Sequence, residues 1–284
     1  MTGPAPLIVG ATGTIGRHLV RQLLERRQPV RVLARDPAKA ATLGDVEIAR
    51  GDLSKPETLP PAFAGIEKVF VLAPPTPDLL ALETAAFHAA KAADVRHIVY
   101  LSNFGAGSLG SRDSIWQWHG TSERRLRDLG VAWTILRPAR FMTDTPFPWA
   151  WDKERAVLAE PLGTGKVTMI APQDLAAVAA KALLEPGHEG KIHELTSGEA
   201  LSGADIADAL AQATGKPVKF VDIAPGAARE TMMSIGLPPF LPDLILDYYA
   251  GVREGRWYVT STTADLLGRP AVTYAEWLRG AFRN

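Results

Sequence analysis

The chain has 284 residues, with Lys plus Arg equal to Asp plus Glu at 31 each and no cysteine. Balanced charge excludes the bulk electrostatic pull of a basic protein toward nucleic acid or an anionic bilayer, so neither is expected as a partner. The missing thiols exclude disulfides, thiolate zinc sites and cysteine redox switches. No stretch approaches the roughly 18 apolar residues that a membrane helix needs. The first residues enter an apolar run without a basic leader, the pattern expected of a cytoplasmic protein. This length suffices for one large α/β unit with a smaller appended lobe.

In chain order, Leu7-Ile8-Val9 runs into glycines at 10, 13 and 16, and Ile15, Leu19 and Leu23 then repeat at helical spacing. Strand, tight turn, helix is the expected local structure. A dinucleotide pyrophosphate needs backbone N–H groups aimed at it from a helix N-terminus and no side chain in its way. Gly10, Thr12, Gly13, Thr14, Ile15 and Gly16 are therefore candidate cofactor-binding residues. The spacing G-x-x-G-x-x-G is less specific than G-x-G-x-x-G, and an ordinary glycine turn is the bland alternative. Further strands are predicted at Val30 to Ala34, Val46 to Ala49, Val69 to Ala73, Ile98 to Leu101, Trp133 to Leu136 and Ile192 to Leu195. Helices are predicted from Asp78 to Ala93, behind a Thr76-Pro77 start signal, from Gln117 to Leu129 and from Asp174 to Leu184. This alternation implies βαβ units and a doubly wound parallel sheet. Beyond Phe141, prolines and tryptophans interrupt the pattern. The expected division is a dinucleotide-binding core over 1–140, which later receives segments near 166–196, and a smaller substrate-binding lobe over 141–284.

The end of the second strand bears on the choice of dinucleotide. An acidic residue there holds the ribose 2'-hydroxyl of NAD, whereas an arginine accommodates the 2'-phosphate of NADP. Arg35 occupies that point, and a guanidinium fork suits a phosphate. Asp36 competes with this reading, but Pro37 follows it, so an N-cap of a short helix explains it. NADP(H) is expected ahead of NAD(H). After the third strand, Asp52-Leu53 falls where adenine would lie, and a plain turn aspartate fits Asp52 as well.

Gly10 to Gly16, Arg35, Asp52-Leu53, Val69 to Pro75, Ile98 to Asn103 and above all His119 to Met142 together resemble the NmrA-like group of atypical short-chain dehydrogenases/reductases. The resemblance implies a Rossmann sheet of order 3-2-1-4-5-6-7, a C-terminal substrate lobe and NADP binding. It implies that Ala73 and Pro74 pass near the cofactor ribose and that Pro138 to Phe141 border the nicotinamide. Standard members of the wider class use Tyr-x-x-x-Lys to exchange a proton with the substrate oxygen. Here the matching positions are His119 and Glu123. Members lacking that pair include reductases of quinones, imines or dyes, and dinucleotide sensors.

His119 and Glu123, four apart on a helix, are the candidate catalytic pair, an imidazole oriented by a carboxylate; a local pair doing no chemistry is the alternative. Trp116, Phe141 and Trp149 are candidate substrate-binding residues for a flat acceptor, although aromatics also fill cores. Met232-Met233 and Leu237 to Leu241 fit either a lid or ordinary packing. His188 and His193 are five apart with Gly190 between them, which does not suit a helical metal motif, and no metal is expected. Ser108 lies too far past its strand for a nucleophile elbow. The expected function is NADP(H)-dependent hydride transfer to a small or medium-sized aromatic or conjugated acceptor, such as a quinone, imine, enone or carbonyl. The alternative is a non-catalytic NADP(H) sensor acting through a protein partner.

Overall fold

The computed structural model describes residues 4–106, 114–145, 150–152, 154 and 156–281. The chain folds into two compact units, Met1–Pro138 with Pro172–Glu194, and Ala139–Ala171 with Leu195–Asn284.

The first unit is built on seven strands: β1 (Leu7–Ile8), β2 (Arg31–Ala34), β3 (Glu47–Arg50), β4 (Lys68–Val71), β5 (His97–Leu101), β6 (Ala132–Pro138) and β7 (Lys191–Leu195). Their spatial order is 3-2-1-4-5-6-7, and the pairings of β1 through β6 are parallel. This is the doubly wound sheet expected from the alternation of elements. The helices between strands are α1 (Thr14–Glu25), α2 (Leu79–Ala92), α3 (Ile115–Asp128) and α4 (Pro172–Leu184). β4 and β5 are buried almost throughout, as strands covered on both faces must be. Helix α1 packs on α4 and donates a bond from Gln22 Nε2 to the Gln173 carbonyl at 2.8 Å.

Two helix starts depart from the sequence reading for local reasons. The Thr76-Pro77 signal makes a turn, the Leu79 N–H donating to the Thr76 carbonyl at 2.9 Å, and α2 begins only at Leu79. Helix α3 starts earlier than expected because Ser114 caps it, its hydroxyl accepting from the Gln117 N–H.

The second unit carries strands too short to show a period. One three-stranded sheet joins Ala200–Leu201, Val167–Ile170 and Arg140–Phe141; another joins Lys219–Asp222, Val157–Glu160 and Trp151–Asp152. Its core gathers Met169, Ile206, Leu210, Met232, Tyr249 and Tyr274, with Leu237, Leu241 and Trp151 packed at the edge. Met232 and its leucine neighbours are thus part of this core. Among the described residues no helix is long and apolar enough to cross a membrane.

Candidate active site

The turn between β1 and α1 separates its three glycines by function. Gly10 has φ +82°, and an added Cβ would lie 2.6 Å from the Leu72 carbonyl oxygen. At Gly16 the added carbon would come within 2.2 Å of the Gly10 carbonyl oxygen. The fold itself therefore requires both. Gly13 differs: its added carbon would meet only the Gly10 carbonyl oxygen, at an ordinary 3.4 Å, and the residue is exposed. It is also the N-cap of α1, and no side chain caps that helix. The turn leaves a bare, N–H-lined helix end with room kept open where a side chain would stand, which suits a pyrophosphate. Thr12 and Thr14 flank Gly13, while Ile15 is buried beneath the helix.

At the end of β2, Arg35 is exposed and makes no hydrogen bond or salt bridge among the described residues. Asp36 caps the short helix Pro37–Ala40, accepting from the Ala38 N–H at 3.0 Å, so the residue that competed with Arg35 has a structural role. The sequence reading missed Arg17. Its Nε donates to the Thr12 carbonyl at 2.8 Å and its Nη1 to Thr42 Oγ1 at 3.4 Å, bringing a second guanidinium beside the glycine turn. The available signal was its place directly after the third glycine. Asp52 closes its own turn by accepting from the Ser54 N–H and hydroxyl, and these bonds, the backbone one foremost, hold its carboxyl below the usual range. Leu53 packs against the core. Ala73 and Pro74 follow the end of β4, and Pro138 ends β6, all at the carboxyl edge of the parallel sheet where ligands of such folds bind.

The expected pairing of His119 with Glu123 is corrected by the helix they share. Glu123 is drawn to the guanidinium of Arg137, which grips it with two bonds, Nε to Oε1 at 2.8 Å and Nη2 to Oε2 at 2.7 Å. Arg127 Nη2 and Ser102 Oγ add bonds of 2.9 and 2.7 Å. A carboxylate so saturated has no lone pair for a histidine. His119 instead meets β5 and α2: its Nδ1 lies 2.6 Å from the Tyr100 hydroxyl and 3.5 Å from Glu83 Oε1. Burial lowers the His119 pKa to about 3, so the ring is neutral near pH 7. Tyr100 is pushed well above 10, first by burial and then by the Glu83 charge, and keeps its proton. A neutral ring carries its hydrogen on Nδ1 or on Nε2, and with the Tyr100 hydroxyl donating to Nδ1 the imidazole N–H stands on Nε2. Tyr100 and Glu83 carry no sequence signal of this role, because neither has a fixed spacing to His119.

The remaining candidates divide between the units. Trp116 is buried in the first turn of α3. Phe141 is half-buried in the second unit, where its strand pairs with Met169–Ile170. Trp149 and Ser108 lie outside the described residues. His188 and His193 do meet, Nδ1 to Nε2 at 3.2 Å, but across a turn and a strand instead of a helix face.

Residues 10–186 match the family described as NAD(P)H-binding. The NAD(P)H azoreductase of Xenophilus azovorans is 40% identical over 96% of each chain. The NADPH-dependent quinone oxidoreductase QOR2 of Escherichia coli, solved with NADPH, superposes with a TM-score of 0.88 at 29% identity, over 98% of this chain and 99% of that one. The Citrobacter sp. triphenylmethane reductase, solved with NADP(H), gives a TM-score of 0.88 at 26% identity over 98% and 100%.

Proposed function

The chain belongs to the NAD(P)H-binding family, and on that premise we propose that it is an NADP(H)-dependent reductase of flat, conjugated acceptors such as quinones and azo compounds. Gly13 carries the reading: the protein has no use of its own for a glycine there, and a pyrophosphate does. The first turn of α1 would hold that pyrophosphate, Arg35 with Arg17 beside it would take the 2'-phosphate, and Ala73, Pro74 and Pro138 would line the path toward the nicotinamide. Asp52 and Leu53 would stand on the adenine side of the sheet. The relatives and structural neighbours above are named for azo, quinone and triphenylmethane acceptors, which share extended π systems.

Bound NADPH supplies a hydride from nicotinamide C4. A neutral acceptor that takes a hydride becomes an anion and needs a proton, and His119 is the side chain proposed to give it, through Nε2–H. Glu123 does not orient that ring; it holds α3 against β5 and β6 through Ser102 and Arg137. Two measurements test the reading. Calorimetry should find NADPH bound more tightly than NADH, with Arg35→Ala costing on the order of 1.5 to 3 kcal/mol for NADPH and little for NADH. A screen of quinones, azo compounds and dyes should find NADPH oxidation well above buffer; its absence throughout would remove the enzyme and leave a sensor.

A further inference from the structure

The neutrality of His119 poses a chemical difficulty for the reaction proposed above. An uncharged imidazole is a very weak acid, and it can release Nε2–H only if a proton reaches Nδ1 in concert. What lies behind Nδ1 therefore decides whether the ring can work. Tyr100 Oη is 2.6 Å away, and its hydroxyl is also within reach of the Glu83 carboxyl. Glu83 is 0% exposed. Its Oε2 accepts from Ser122 Oγ at 2.5 Å, whereas Oε1 is buried with no hydrogen-bond partner among the described residues and lies 3.5 Å from His119 Nδ1. A buried carboxylate oxygen without a donor is costly, while the same oxygen carrying a proton is a donor aimed at the acceptors beside it.

We propose that Glu83 is the proton store for the reduction, its proton reaching the acceptor through the Tyr100 hydroxyl and the His119 ring. This rests on the reductase reading. The groups facing Glu83 are Tyr100 from β5 and His119, Ser122 and Glu123 from α3. Arg125 of α3 donates to Thr84 beside Glu83 on α2, and Arg137 and Arg127 spend their charge on Glu123. Burial, with the Glu123 charge adding to it, pushes the Glu83 pKa up to about 8, so the store is full at neutral pH. Once the hydride has reached the acceptor, the Nε2–H bond breaks and its proton passes to the anionic oxygen or nitrogen. Nδ1 takes the Tyr100 proton, Tyr100 takes the Glu83 proton, and Glu83 is left as a carboxylate. After product leaves, Nε2 takes a proton from water and the chain runs back, recharging Glu83. Glu83 and Tyr100 act through His119 and are positioning and supply groups; His119 alone meets the acceptor.

The stoichiometry provides the test. A neutral p-benzoquinone needs a hydride and a proton, whereas a cationic triphenylmethane dye needs only the hydride. In Glu83→Gln, and independently in Tyr100→Phe, the ratio of quinone to dye turnover should fall by about 10²-fold. The wild-type quinone rate should decline above about pH 8, a limb that Glu83→Gln removes. Infrared titration of the cofactor-free protein should show a protonated-carboxyl band that disappears near pH 8 and is missing from Glu83→Gln. A turnover ratio unchanged in both variants, or no such band in the wild type at pH 7, overturns the relay while leaving the reductase. Failure of the wild type to reduce either acceptor overturns the reductase and the relay with it.

Discussion

At Gly13 an added methyl group burdens the ligand and spares the fold. Gly13→Ala should keep the wild-type urea midpoint and weaken NADPH binding by tenfold or more in a calorimetric titration, because its only protein contact is an ordinary 3.4 Å. Gly10→Ala should behave oppositely. Its positive φ and its 2.6 Å approach to the Leu72 carbonyl make the change destabilising by about 2 kcal/mol or more, measured by urea unfolding. The glycine turn and Arg35 stand out in the sequence because the features that nominate them are local: a run of neighbours or the end of a strand suffices. The His119 surroundings do not stand out. Glu83 and Ser122, 39 residues apart in sequence, come together from α2 and α3, and the i,i+4 rule that suggested Glu123 describes exposed helix pairs. In a buried setting the stronger, bidentate Arg137 took that carboxylate.

Helix α3 is fixed by this knot more than by its own propensity. Ser102 just past β5, Arg137 from β6 and Arg127 one turn along all converge on Glu123, which is 1% exposed. Glu123→Ala leaves the half-buried Arg137 with its remaining partner Glu194 at 3.4 Å, and unfolding should become easier by roughly 3 kcal/mol. In Glu123→Gln the alkaline limb of the quinone rate should shift down only slightly, because burial is the first cause that raises Glu83 and the Glu123 charge the last; a drop of a unit or more would make the Glu123 charge the main cause instead. Elements of the first unit were readable from their periods, to within a few residues. Those of the second were not, since strands such as Arg140–Phe141 and Trp151–Asp152 have two residues each and are specified by partners distant in the chain.

Across the whole molecule, buried histidines set the response to acid. His97 donates Nε2–H to Thr134 Oγ1, and its Nδ1 is buried with no partner among the described residues, so a second proton there would be unsatisfied. Burial lowers His97 and His193 to about 4 and His119 to about 3. Each contributes stability that is present above the unfolded pKa near 6.5 and drains away as pH falls. Glu83, raised to about 8, works the other way, losing its contribution as pH rises from about 4.5 through 8, and Asp144 shares its sign. His18 and His188 are lowered by burial as well, so the protons gained on unfolding outnumber those that Glu83 and Asp144 release, and stability rises with pH near pH 5. Urea midpoints should therefore peak near pH 6.5; a flat profile from 5 to 7 would refute the assignment. The threading of the chain adds a matter of timing. The cover of α1 is α4, which begins at Pro172, although α1 ends at Glu25. At ribosomal rates of about 5–20 residues per second, the side of α1 that packs on α4 waits roughly 7 to 30 seconds for that partner to be synthesised. During that interval the nascent chain offers a chaperone a fixed, early binding segment, and ribosome-bound fragments stopped before residue 172 should be captured where those stopped well beyond 195 are released.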